Sequence, residues 1–262
     1  MSFHVIRALT MRYWFLYQRS SFRILDLFFW PMMDLFVWGF LTLYLMQAKS
    51  GIPGYFTFLI GAVIFWNVLY RAQQAVTVSF LDDIWSRNLL NIFVAPVRPS
   101  DFIAATYIVG LLQCLIVCVT MTLFARFYEF DILRLGAALV PLFVNLVLMG
   151  WWLGMFTMGM ILRFGEMAQP LAWAVPYLLQ PISAVFYPID VLPPWLRPFA
   201  YCSPATYVFE GMRQVLRGEG LSASNLCAAF ALNALYMLLA AIFFGSMFHQ
   251  ARKIGLLSKF GT

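Results

Sequence analysis

The sequence predicts an all-α integral membrane protein. It has six transmembrane helices, an N-terminal interfacial helix and an external re-entrant or short-helix segment between the fifth and sixth spans. Three observations carry that expectation. The 262 residues are 63% hydrophobic and 11% charged, with a mean hydropathy of +0.83; soluble domains carry about 25% charge, and a chain this apolar could not cover its own surface in water. Its apolar residues form runs of about 20, long enough to span as helices, and do not alternate as β-barrel strands do. The charges gather at the ends of those runs. A net charge of +6 then reads as anchoring at a cytoplasmic membrane face, with no nucleic acid implied. One transmembrane domain, 1–262, accounts for the whole chain.

Residues 1–23 open the chain as a cytoplasmic interfacial helix. In "FHVIRALTMRYWFLYQRSSFR", Arg12, Arg19 and Arg23 fall within about 40° of one another at helical spacing, while Phe3, Ile6, Met11, Trp14 and Phe15 supply apolar bulk. Six spans follow, at Ile24–Met46, Tyr55–Val76, Phe102–Ala125, Leu135–Leu162, Met167–Tyr187 and Ser222–Phe248. The fifth contains Pro170, Pro176 and Pro181, so it should kink or break. That is tolerated in lipid only where neighbours or water satisfy the freed carbonyls. With both termini cytoplasmic, ten Lys/Arg lie inside against six outside, as the positive-inside rule favours. Segment 82–101 is then cytoplasmic and segment 186–220 external. The latter is rich in aromatics and Pro and poor in charge, and Ser203-Pro204 can start a helix running to about Leu216.

No Walker phosphate loop, zinc-protease His pair or nucleophile elbow is present in the sequence. Catalytic and metal-binding residues are therefore expected to be none. Three ionisable groups fall inside the first two spans. Asp34 lies roughly 15 Å deep and Arg71 roughly 8 Å deep, at 1.5 Å per residue. Arg71 can pair with Asp34 or with Asp26, nearer the inner surface. Gly150 and Gly154 form a G-x-x-x-G in the fourth span, which permits close helix approach. Glu210 and Arg213 share a helix face at i, i+3.

Two stretches, taken with the order of these features, resemble one family. They are "RNLLNIFVAPVRPSDF", Arg87–Phe102, and "QPISAVFYPIDVLPPWLRPFAYCSPATYVFEGMRQVLRG", Gln180–Gly218. The first resembles a stretch of Arg and small apolar residues ending in a Pro-x-Arg-Pro-like turn into span three. The second resembles a Pro-Ile, Leu-Pro, Pro-x-x-Tyr and Glu-x-x-Arg series. Together they are similar to the permease subunit of ABC-2-type (type V) ABC exporters.

The resemblance implies an ATP-driven exporter subunit that is not itself an enzyme. A separate ABC ATPase holds the ATP and Mg, and this chain binds no cofactor of its own. It implies a multi-pass protein of the bacterial inner membrane and a second permease copy, with a homodimer expected. It also implies that 82–101 is a coupling segment. Leu89, Leu90, Ile92, Phe93 and Val94 would dock into a groove of the ATPase, with Asp82, Asp83, Arg87 and Arg98 at the rim. Pro96 would help turn the chain back to the membrane. Trp195, Phe199, Tyr207, Glu210 and Arg213 form the expected external gate. Amphipathic or lipid-linked cargo suits the aromatic spans. The alternative class is an intramembrane enzyme or an ATP-independent channel or carrier, although no repeated half of the carrier kind is evident.

Overall fold

The structure, a computed structural model, describes residues 2–47, 53–128, 130–253 and 255. Lys49 and Lys259, counted above for orientation, lie outside them. The described elements are helical: α1 Phe3–Gln18, α2 Ser21–Gln47, α3 Pro53–Trp85, α4 Leu89–Val94, α5 Pro99–Ala125, α6 Leu139–Phe164, α7 Leu171–Ile182, α8 Arg197–Tyr201, α9 Pro204–Leu216 and α10 Ala223–Lys253. Short 3-10 stretches join several of them, among them Ile132–Ala138 before α6 and Gly165–Ala168 before α7.

Four helical stretches are long and apolar enough to cross a membrane: Ser21–Gln47, Pro99–Tyr128, Ile132–Ala168 and Ala223–Lys253. Two of the six expected spans take another form. α3 has 33 residues and runs nine residues past the expected Val76. At about 50 Å it exceeds a hydrocarbon core of about 30 Å. Its last turns therefore absorb Asp82 and Asp83, which the sequence had assigned to the cytoplasmic segment. α7 has 12 residues, about 18 Å, and stops after Ile182 instead of continuing to Tyr187. Ala184 there adopts a positive φ of 50°, a conformation no helix continues through.

α3 is the axis of the molecule, packed on α6, α5 and α2. Small residues set its distance from α6. A Cβ on Gly150 would meet the Leu69 carbonyl oxygen at 2.6 Å, and one on Gly154 would meet Val76 Cβ at 2.6 Å. The G-x-x-x-G therefore faces α3, and any larger residue would force the helices apart. α6 and α10 are joined by a buried amide network. Asn233 Nδ2 donates to Asn145 Oδ1 at 3.0 Å, and Trp152 Nε1 donates to Asn233 Oδ1 at 2.9 Å. Polar groups in an apolar surround hold helices together because their alternative is to go unpaired.

Candidate functional site

α3 carries an unusual load of buried polar side chains, including Asn67, Arg71, Gln73, Gln74, Thr77 and Asp83. Two of them explain how a proline-broken helix survives beside it. Pro176 has no N–H, so the carbonyl four residues earlier, on Ala172, loses its helical donor. Gln73 Nε2 and Gln74 Nε2 donate to that carbonyl at 3.1 and 2.6 Å. The adjacent glutamines thereby pin α7 to α3.

Between α2, α3 and α7 lies a cleft of about 500 Å³. Its ionisable lining is Arg23, Asp26, Asp34, Arg71 and Asp82, two cations against three anions. Arg71 pairs with Asp26 rather than Asp34. Its Nη1 donates to Asp26 Oδ2 at 3.1 Å, and its Nη2 donates to the Asp26 main-chain oxygen at 2.6 Å. Of the two partners the sequence left open, the structure selects the one nearer the start of α2. Asp34 instead accepts from Asn67 Nδ2 at 3.2 Å. Arg23 pairs with Asp82 at 2.5 Å at the end of the cleft nearest α1. Much of the remaining wall is aromatic. Tyr70 and Tyr177 face each other at 5.5 Å between ring centroids, and Trp85 stacks with Trp173 at 6.5 Å. A smaller cleft of about 100 Å³ shares Asp34, Asn67 and Tyr177 with the larger one and reaches Gln180 and Phe186.

At the end of the molecule where α3 finishes, α1 is clasped to α3. Asp83 is fully buried, and Arg12 makes a two-pronged ion pair with it. Tyr13 Oη donates to Asp83 Oδ2 at 2.6 Å. Burial and the facing carboxylate push the Tyr13 phenol well above its ordinary range, so it stays a donor. The Ser2 amide donates to Asp101 at 3.1 Å, tying the same helix to the start of α5. These contacts correct the sequence reading of Asp82 and Asp83 as a rim open to a partner: both are engaged by arginines of the chain's own N-terminal region.

α3 ends in a Schellman turn. Asn88 N–H donates to the Asp83 carbonyl and Arg87 N–H to that of Ile84, both at 2.9 Å. Arg87 holds the left-handed position with φ of 54°, which glycine fills most easily. The turn launches α4, whose six residues divide between two faces. Leu89 is 1% exposed and Ile92 is also buried, while Phe93 rests on Phe102 and Phe248. These three, expected to enter a partner's groove, instead anchor α4 to its own chain, because a short helix gains its stability from the face it buries. Leu90, at 42% exposed, and Val94, at 77%, point outward. Arg87, Asn91, Pro96 and Arg98 are also exposed.

At the opposite end, Arg213 is 3% exposed. It donates to the carbonyls of Ala184, Val185 and Tyr187, pairs with Glu210 at 2.8 Å and lies over the Phe58 ring at 4.3 Å. Glu210 Oε1 also accepts from the Ile189 amide at 2.9 Å. The pair expected in the external gate thus clamps the chain that leaves α7, with Arg213 buried and Glu210 half-buried. Tyr207 is half-buried, whereas Trp195 and Phe199 are exposed and stand apart from that clamp.

The sequence reading missed Gln73, Gln74, Asn67 and the Arg12–Asp83 pair. A signal existed for each. Two adjacent glutamines in an apolar run require acceptors, and an Asp-Asp pair requires cations within reach.

Comparison with known proteins adds the family. Residues 4–216 match the family described as ABC-2 type transporter. The chain is 25% identical over 166 residues to the inner membrane transport permease YadH of Escherichia coli K12, covering 61% of this chain and 62% of that protein. It is 29% identical over 163 residues to ABC transporter G family member 20 of Dictyostelium discoideum, covering 61% of this chain and 22% of that protein. The chain thus spans less than two thirds of the length of either relative. The family match alone runs from His4 in α1 to the end of α9, taking in both clefts, the Arg12–Asp83 clasp and the Arg213 clamp, and on that extent the chain belongs to the ABC-2 type transporter family.

Proposed function

We propose that the chain is the membrane-spanning permease subunit of an ATP-driven exporter. It moves an amphipathic or lipid-linked cargo outward while a separate ABC ATPase subunit hydrolyses the nucleotide. The observation that carries this reading is α4. A six-residue helix fixed to α5 and α10 by Leu89, Ile92 and Phe93 turns Leu90 and Val94 away from its own chain. Two apolar side chains presented from a rigid base are what helix-in-groove recognition uses. Behind α4 stands the Arg12–Asp83 clasp, so a push delivered there is passed to α1, α3 and α5 together.

In this reading α3 and α7 complete six spans, α7 as a short one finished by the chain out to Tyr187. Both termini are cytoplasmic, in the bacterial inner membrane that the name of the E. coli relative suggests. Two copies form the transporter, and the cleft between α2, α3 and α7 lines part of the pathway. Trp195 and Phe199 close it from outside.

The test is co-purification with a candidate ABC ATPase subunit. Leu90→Asp and Val94→Asp should leave a folded, monodisperse permease yet reduce ATPase capture at least about tenfold, since a charge entering an apolar groove must be desolvated. Phe93→Asp is unsuitable, because Phe93 also packs inside. Undiminished capture and transport in the Leu90, Val94 double variant would remove the coupling role. Native mass measurement of the wild-type complex should show two permeases with two ATPases.

A further inference from the structure

Both arginines of the large cleft are already committed, Arg23 to Asp82 and Arg71 to Asp26. The third carboxylate, Asp34, has no ion pair among the described residues and is steadied by the neutral Asn67 amide at 3.2 Å. It therefore carries the cleft's uncompensated charge, in a part-buried position where a missing counter-ion is felt strongly. Asp34 also stands where the large cleft meets the smaller outer one, since both are lined by it. Aromatic side chains share the cleft with it, among them Trp30, Tyr70, Trp173 and Tyr177. A lone carboxylate ringed by aromatic faces attracts organic cations, by charge at one point and by ring quadrupoles around it. It repels anions. The volume of about 500 Å³ suits a drug-sized molecule.

We propose that this cleft is a binding site for lipophilic organic cations, with Asp34 as the counter-charge and Tyr70, Trp173 and Tyr177 as the walls. This deepens the permease reading by naming the class of its cargo. A hydrated inorganic cation would gain little from apolar ring faces. A phosphate headgroup would have to displace Asp26 from Arg71. A bulky ammonium or phosphonium ion needs neither step, because its charge is spread beneath a shell of hydrocarbon.

The experiment is equilibrium binding of radiolabelled tetraphenylphosphonium to the purified permease in detergent, corrected with protein-free micelles and run without ATPase or nucleotide. Saturable binding should weaken on the order of tenfold in Asp34→Asn and be retained in Asp34→Glu. The Trp173→Leu, Tyr177→Leu double variant should weaken it several-fold. Tetraphenylborate, of the same shape and opposite charge, should compete poorly. Thermal melting and monodispersity check each variant, and the aromatic double variant carries the test if Asp34→Asn does not purify. Equal binding of the two ions, or wild-type affinity in Asp34→Asn, would overturn the proposal. So would tighter binding of tetraphenylborate that Arg71→Gln abolishes, because the site would then be anionic-headgroup specific. Since no ATPase is present, such a failure leaves the coupling test at α4 untouched. A failure of that test equally leaves this one standing.

Discussion

The two ends of the molecule each bury an ionic cluster, and the clusters do different jobs. At the α1 end, Arg12 reaches Asp83 across 71 positions of sequence, and Arg23 reaches Asp82 across 59. Side chain meets side chain there, and separate helices are fastened to one another. At the α9 end, Arg213 addresses backbone: three carbonyls released where α7 breaks, with Glu210 beside it taking the Ile189 amide. The first cluster joins helices that could have packed without it. The second satisfies groups that have no other partner in an apolar surround, where each unmet carbonyl is costly. An ion pair between elements is thus replaceable in kind, whereas a cation that caps a broken helix is not.

That contrast predicts a ranking. Arg213→Met should be the most damaging change, at about 3–5 kcal/mol, because it leaves Glu210 without its cation and the carbonyls of the α7 exit unmet together. Loss of folded protein on size exclusion and in thermal melting would show it, and an Arg213→Met protein that melts like wild type would break the contrast. Asp83→Asn comes next, at about 2–3 kcal/mol, with buried Tyr13 and Arg12 losing their acceptor charge. A double-mutant cycle with Arg12→Gln should recover part of that loss as coupling. Asp82→Asn should cost no more than about 1 kcal/mol, since Arg23 is nearly a third exposed and such pairs are screened by water. Equal effects at Asp82 and Asp83 would mean that burial does not separate the two aspartates.

The smallest expected effect has the opposite sign. Arg87→Gly should stabilise the permease by about 1 kcal/mol by relieving a left-handed arginine. It should also weaken ATPase capture. A gain in stability without that loss would make Arg87 a structural accident rather than a contact residue.

Much of this was legible in the sequence. The helices α2, α5 and α10 lie within a few residues of their expected ends, because hydropathy averaged over a span reports burial in lipid well. The Ser203-Pro204 start of α9 was legible because Pro at the first turn is a local signal. The G-x-x-x-G was visible too, though not its partner. What stayed hidden was pairing. Asp82 and Asp83 look like the end of a span to any average, yet α3 runs on through them because Arg12 and Arg23 arrive from far along the chain. Asp26 and Asp34 were equally plausible partners for Arg71, since both depth estimates assume ideal helices and neither includes Asn67. The fate of α4's apolar face turned on Phe102 and Phe248, one of them more than 140 positions away, and no local pattern contains that information.

The Arg213 clamp also orders events in time. Arg213 leaves the ribosome 29 residues after Ala184, whose carbonyl it binds. At a synthesis rate of about 5–20 residues per second, that is a delay of about 1.5–6 s. For those seconds the emerged chain holds an interrupted helix whose exposed carbonyls still lack the Arg213 donor. The insertion machinery, or water admitted beside it, must shelter that segment until α9 arrives. A ribosome stalled so that Ala184 but not Arg213 has emerged from its exit tunnel should therefore yield a chain whose α7 is still accessible to aqueous labelling, and release of the stall should close it.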